Sequence, residues 1–205
     1  MGRARRTTLL LLSTLAMLPA CNNSRDNGPI GERIRSRSGQ MGWTAPTHQC
    51  AGADSHTVPQ DNGSIIQTCS VNGVLQGRFV TWYASGGKAQ EGTYTQGQRT
   101  GDWVWWHTTG KLATKGGFQS DRELGEWVWW HPNGQTQARG DHIDGRRAGL
   151  WSTWFATGQK QSEGQYQNGV KEGRWTYWTA DGEPQRTETW RGGQLTEALE
   201  PQSAR

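Results

Sequence analysis

A strict repeat with a period of 24 runs through the centre of this chain without slippage, and nothing else in the sequence constrains the fold as strongly. Gly77, Gly101, Gly125, Gly149 and Gly173 mark the successive units. Two residues after each marker stand Phe79, Trp103, Trp127, Trp151 and Trp175, and three further on stand Trp82, Trp106, Trp130, Trp154 and Trp178. Turn glycines follow at Gly86, Gly110, Gly134, Gly158 and Gly182. Another column reads Gly92, Gly116, Gly140 and Gly164, broken by Glu188, and the last reads Tyr94, Phe118, His142, Tyr166 and Trp190. Self-similarity at a fixed step is the signature of stacked supersecondary units. It also explains a composition that suits no single-core enzyme. Only 32% of the 205 residues are hydrophobic, yet there are 29 Gly and 13 Trp, of which 22 Gly and 12 Trp lie inside the repeats. An aromatic content of 10% equally disfavours a wholly disordered chain.

Each unit reads as two short strands. Trp103-Val104-Trp105-Trp106 is rich in strand-favouring side chains and too short for a core helix. Gly97 and Gly101 flank one turn, and His107-Thr108-Thr109-Gly110 forms the other. Five units predict about ten strands in an antiparallel meander, roughly 50 Å long at the usual strand spacing. The fold class expected is all-β: an elongated single-layer sheet of stacked hairpins.

The pattern Gly-x-Trp-x-x-Trp, a Gly-ended turn, and then Gly-x-Tyr-x-x-Gly-x-x-x-Gly resembles the MORN-repeat variant, which occurs in proteins labelled YwqK-family antitoxins. The resemblance covers residues 72–195. It implies an open, twisted sheet, a non-enzymatic role, and binding to membranes or protein scaffolds. The antitoxin label implies a neutralising partner for a toxin as an alternative. A weaker similarity to Trp-rich cell-wall-binding repeats implies carbohydrate or peptidoglycan binding through a Trp ladder.

Strand alternation places Trp103 and Trp105 on one face and Trp106 on the other. Two readings of these columns stay open. Stacked rings can replace a conventional core, or one column can remain exposed as a ladder for glycan, peptide or lipid. Trp105 and Trp129 are extra aromatics in two adjacent units, so with Trp106 and Trp130 they are the candidate ligand-binding residues. His107 and His131 are one repeat apart, too distant to share a metal readily, and read as surface residues. No nucleophile elbow, phosphate loop or zinc-protease helix is present, so no catalytic residue, metal or cofactor is expected. The charged residues that come after each marker Gly vary in sign and read as solvated turn positions.

The flanks carry the signals for location. Arg3, Arg5 and Arg6 precede a short apolar run from Leu9 to Leu18, the layout of a secretory signal over residues 1–20. Leu18-Pro19-Ala20-Cys21 resembles a bacterial lipobox, which implies lipidation at Cys21. Asn22 after that cysteine implies sorting to the outer membrane, because an Asp there often retains such lipoproteins at the inner one. Residues 21–42 are polar and read as the lipid anchor and a flexible tether. Cys50 and Cys69, in an exported chain, read as a disulfide closing an N-terminal cap over residues 43–71. Residues 196–205 read as a disordered tail. The chain carries 22 basic and 18 acidic side chains, and three of the basic ones lie in the signal. The remainder is nearly neutral, so no nucleic-acid partner is expected. The sequence thus predicts a monomeric, lipid-anchored binding or scaffold protein of the cell envelope, whose partner is an envelope protein or glycan.

Overall fold

The computed structural model describes residues 33–35 and 41–200. The signal segment and Cys21 lie outside these residues. Two short antiparallel strands, β1 (Arg33–Arg35) and β2 (Met41–Trp43), form a ladder of their own. All other described strands belong to one sheet. These are β3 (Asp54–Pro59), β4 (Ile65–Val71), β5 (Val74–Trp82), β6 (Lys88–Thr95), β7 (Gln98–Trp106), β8 (Leu112–Gln119), β9 (Arg122–Trp130), β10 (Thr136–Ile143), β11 (Arg146–Trp154), β12 (Lys160–Gln167), β13 (Val170–Trp178), β14 (Pro184–Arg191) and β15 (Gln194–Leu199). Their order in space is their order in sequence, a 13-stranded antiparallel meander. At the usual interstrand spacing it is roughly 58 Å from edge to edge. No described helix is long and apolar enough to cross a membrane.

The two-residue turns between units have positive φ at both central positions. Examples are Gln96 (50°) with Gly97 (81°), and Asn168 (52°) with Gly169 (88°). This is the mirror-image turn whose twist matches that of the flanking strands. Each turn is also tied to its neighbour through the backbone, as when Gly145 N–H donates to Glu123 O at 2.9 Å and Gly169 N–H donates to Arg147 O at 2.9 Å. One margin of the sheet is therefore a row of linked turns.

The sheet is longer than the five units predicted. β3 and β4 extend it at the N-terminal end, where a loop-rich cap was expected, because Ile65-Ile66-Gln67-Thr68 is already strand-forming and meets β5 in register. The disulfide between Cys50 and Cys69 is present and fastens the preceding segment to β4. Two further expectations are corrected. Residues 194–199 form the edge strand β15, so part of the tail expected over 196–205 is strand; Leu195 on β15 lies opposite Trp190 on β14. The tether expected over 21–42 contains β1, whose Arg-Ile-Arg alternation suits a strand and pairs Arg33 with Trp43.

Candidate functional site

Strand alternation divides the aromatic residues between two faces with different fates. On the first, here the stacked face, the rings of Trp103, Trp127, Trp151 and Trp175 are almost wholly buried. Between them stand Phe118, His142 and Tyr166. Phe118 is edge-on to Trp127 at 5.1 Å, His142 to Trp151 at 5.2 Å and Tyr166 to Trp175 at 5.1 Å. Edge-on contact between rings is the arrangement their quadrupoles favour. The glycine column has a steric cause. A Cβ on Gly116 would lie 2.1 Å from the Trp127 ring, and one on Gly140 would lie 2.3 Å from the Trp151 ring. Each indole thus lies flat on the bare backbone of the preceding strand.

Trp105 and Trp129, two of the candidate ligand residues, belong to this stack. Trp105 lies 5.9 Å from Trp103 and 5.8 Å from Trp127, and its Nε1 donates to Gln90 Oε1 at 2.8 Å. Trp129 bridges Trp127 and Trp151 at 5.7 and 5.5 Å. Both are half-buried. Beside Trp105 lies a shallow depression of about 470 Å³ lined by Tyr83, His107, Arg99, Glu123 and neighbouring residues.

Trp106 and Trp130, the other two candidates, lie on the opposite face. There Trp82, Trp106, Trp130, Trp154 and Trp178 form a second column, here the ladder face. The four candidates therefore do not converge on one site. Trp82 is buried, because Trp43 packs on it at 5.5 Å and its Nε1 donates to Gln67 Oε1 at 2.8 Å. The remaining four tryptophans of this column are half-buried. Lys88 Nζ sits between two rings, 5.9 Å from Trp82 and 5.7 Å from Trp106. Such placement over an indole face is electrostatically favourable for a cation.

The charges that read as drifting turn residues are ordered across three of the hairpins. Arg78 pairs with Glu91 at 2.7 Å, Asp102 with Lys115 at 3.3 Å, and Glu126 with Arg139 at 2.5 Å. The sign inverts between the first of these pairs and the next two, while complementarity is kept. The constant spacing between opposite charges, from 78 to 91, 102 to 115 and 126 to 139, is the sequence signal that reveals this. The histidines are likewise not idle surface groups. His107 Nε2 contacts Trp130 O and His131 Nε2 contacts Trp154 O, each at 2.9 Å, while the Tyr83 hydroxyl donates to Trp106 O at 2.6 Å. Each binds a unit to the next.

At the C-terminal end the glycine column becomes Glu188, almost fully buried. Desolvation works to raise its pKa. Hydrogen bonds from Tyr177, Arg186 and Trp190, with the Lys171 charge, outweigh this and bring it down from 4.5 to about 2. The partners lie at 2.6 Å (Tyr177 Oη), 2.8 Å (Arg186 Nε) and 3.0 Å (Trp190 Nε1). Burial and the Glu188 charge push the Tyr177 hydroxyl upward in turn. At the other end, His48 is buried with Nε2 3.3 Å from Cys69 Sγ. Burial and Arg78 lower its pKa. His48, Cys50 and Cys69 are close enough to suggest a metal triad, but both sulfurs are consumed in the disulfide.

Comparison with known families agrees with this architecture. No curated protein matches the chain. The MORN repeat variant model matches residues 123–144 and 147–168, two adjacent units that each run from one mirror-image turn to the next. MORN repeats suggest a binding or scaffold role.

Proposed function

We propose that the protein is a lipid-anchored, non-enzymatic binding and scaffold protein of the bacterial envelope, tethered through Cys21 and presenting the repeat sheet as its working surface. The observation that carries this reading is the ladder face: an uninterrupted sheet surface on which Trp106, Trp130, Trp154 and Trp178 stay half-buried without a covering layer among the described residues. A monomeric sheet stabilised on its other face by stacked rings has no packing need for a second aromatic column, so that column is available to a partner. Arg78, Glu91, Lys115 and Arg139 are held in hairpin ion pairs, which suits a surface that recognises shape and ring faces. The sequence supports the location through its signal-like start and lipobox, and the outer membrane is the destination that Asn22 favours.

Two measurements test this. Metabolic labelling with a fatty-acid analogue should mark the wild type and not Cys21→Ser, and the label should travel with outer-membrane fractions. In-cell crosslinking should then recover a reproducible envelope protein or glycan. A chain that stays unlabelled and crosslinks to nothing in the envelope removes the proposal.

A further inference from the structure

The ladder face contains a comparison within itself. Opposite each tryptophan of the column, on the next strand, stands one gap residue: Lys88 opposite Trp82, Leu112 opposite Trp106, Thr136 opposite Trp130, Lys160 opposite Trp154 and Pro184 opposite Trp178. Lys88 shows what the position does, because its ammonium fills the space between the Trp82 and Trp106 rings. Lys160 reaches the Trp178 ring at 5.7 Å in the same manner. Each lysine is matched by a carboxylate three residues on, Glu91 at 2.9 Å and Glu163 at 2.6 Å.

At two of the gaps that lack a cation, the residue three places on is basic instead. Lys115 comes after Leu112, and Arg139 after Thr136. Thr136 is a small gap residue, and beside it lies an open cavity of about 300 Å³ lined by Gln135, Thr136, Arg139, Trp154 and Gly158. That is the lower end of the size range of small-ligand sites. Its chemistry is one aromatic plane, a side-chain amide, a hydroxyl and a guanidinium. A cationic guest is disfavoured, because the carboxylate that accompanies Lys88 and Lys160 is replaced here by Arg139.

We propose that this gap binds a hexopyranose of a glycan chain, with a carboxylated residue preferred. The apolar C–H face of the sugar ring lies on the Trp154 indole. Gln135 and Thr136 exchange hydrogen bonds with ring substituents, and Arg139 receives the carboxylate. Arg139 already donates to Glu126 Oε1 through two of its nitrogens. A guanidinium has five N–H donors in a planar fork, so it can serve a second carboxylate. The inference rests on the ladder face being a working surface and adds the class of ligand and its position.

The test uses the full-length protein in detergent micelles and calorimetric titration with four probes. These are a muramic-acid-containing disaccharide, an oligouronide, a neutral glucose oligosaccharide and a cationic glucosamine oligomer. Binding should favour the two acidic probes over the neutral one and be absent for the cationic one. Whichever acidic probe binds tighter distinguishes a cell-wall source from an acidic polysaccharide. The decisive variant is Thr136→Lys with Arg139→Glu and Glu126→Arg, which copies the arrangement of Lys88, Glu91 and Arg78 into the open gap and should leave thermal stability intact. Filling the gap should weaken acidic-sugar binding by about tenfold or more, the scale of one lost ring-face contact. Unchanged binding by that folded variant, preference for the cationic oligomer, or binding of a proline-rich peptide in place of any sugar overturns the inference. Crosslinking to an envelope partner that persists while all four probes fail would overturn the sugar site alone and leave the scaffold reading standing.

Discussion

At the scale of single residues, the fold depends on where a side chain is missing. Gly116 has no positive φ, so replacing it tests ring contact alone. Gly116→Ala should destabilise the protein by about 1–3 kcal/mol in chemical denaturation, the usual cost of overpacking. Gly87→Ala, where a new Cβ meets nothing within 4 Å, should be neutral or slightly stabilising. His142 replaces an aromatic hydrocarbon in the stack, and burial with the nearby Arg147 lowers its pKa from 6.5 despite the opposing charges of Glu123 and Asp141. A histidine that resists protonation when folded binds fewer protons than in the unfolded chain, so stability falls as pH drops below 6.5. His142→Phe, copying Phe118, should raise the melting temperature, and more at pH 5 than at pH 8. Some acid sensitivity will remain, because His48 is shifted in the same direction. The aromatic and glycine columns were legible in the sequence because each is fixed at a constant step. The reason for Gly116 and Gly140 was not. It lies in the rings of Trp127 and Trp151 on the following strands and becomes visible only when adjacent strands are in register.

At the scale of strands and hairpins, the sequence predicted the type of element and undercounted the number. The marker column begins at Gly77, but β4, which carries no marker, still pairs with β5. β15 lacks the Trp marker and pairs with β14 all the same. The candidate site was partly legible. Alternation separated Trp105 from Trp106 correctly, but could not show that Trp105 and Trp129 would be drawn into the stack, because that depends on ring orientation. Terminal hairpins also carry chemistry that internal ones lack. The Glu188 carboxylate, with its pKa brought down from 4.5 to about 2, contributes stability that is full above 4.5 and is lost as pH falls toward 2. Glu188→Gln should therefore melt earlier than wild type at neutral pH, and the gap between them should close through that acid window. A gap of constant size across the window would show that the charge of Glu188 does not matter.

At the scale of the whole molecule, units contact chiefly their neighbours, so the length of the sheet is an adjustable quantity. Excising residues 122–145, one full step of the repeat, joins Asp121 to Arg146 and restores every pairing one unit shorter. That variant should fold to a cooperative β-protein by circular dichroism. Excising residues 122–133, half a step, places strands against the wrong partners and should not. The placement of ring over glycine adds a direction to this modularity. Each indole of the buried column leans back over the strand before it, as tiles overlap on a roof. The rule relaxes at the last course. Where the spacing from Gly164 to Trp175 is carried on from Glu188, it reaches Leu199 instead of a tryptophan, so a bulky carboxylate is tolerated beneath it. At the first course, Phe79 replaces the tryptophan and Thr68 replaces the glycine together. New courses can therefore be laid anywhere within the slope by tandem duplication, whereas eave and ridge must be kept. Such a protein can be lengthened to reach its target without being redesigned.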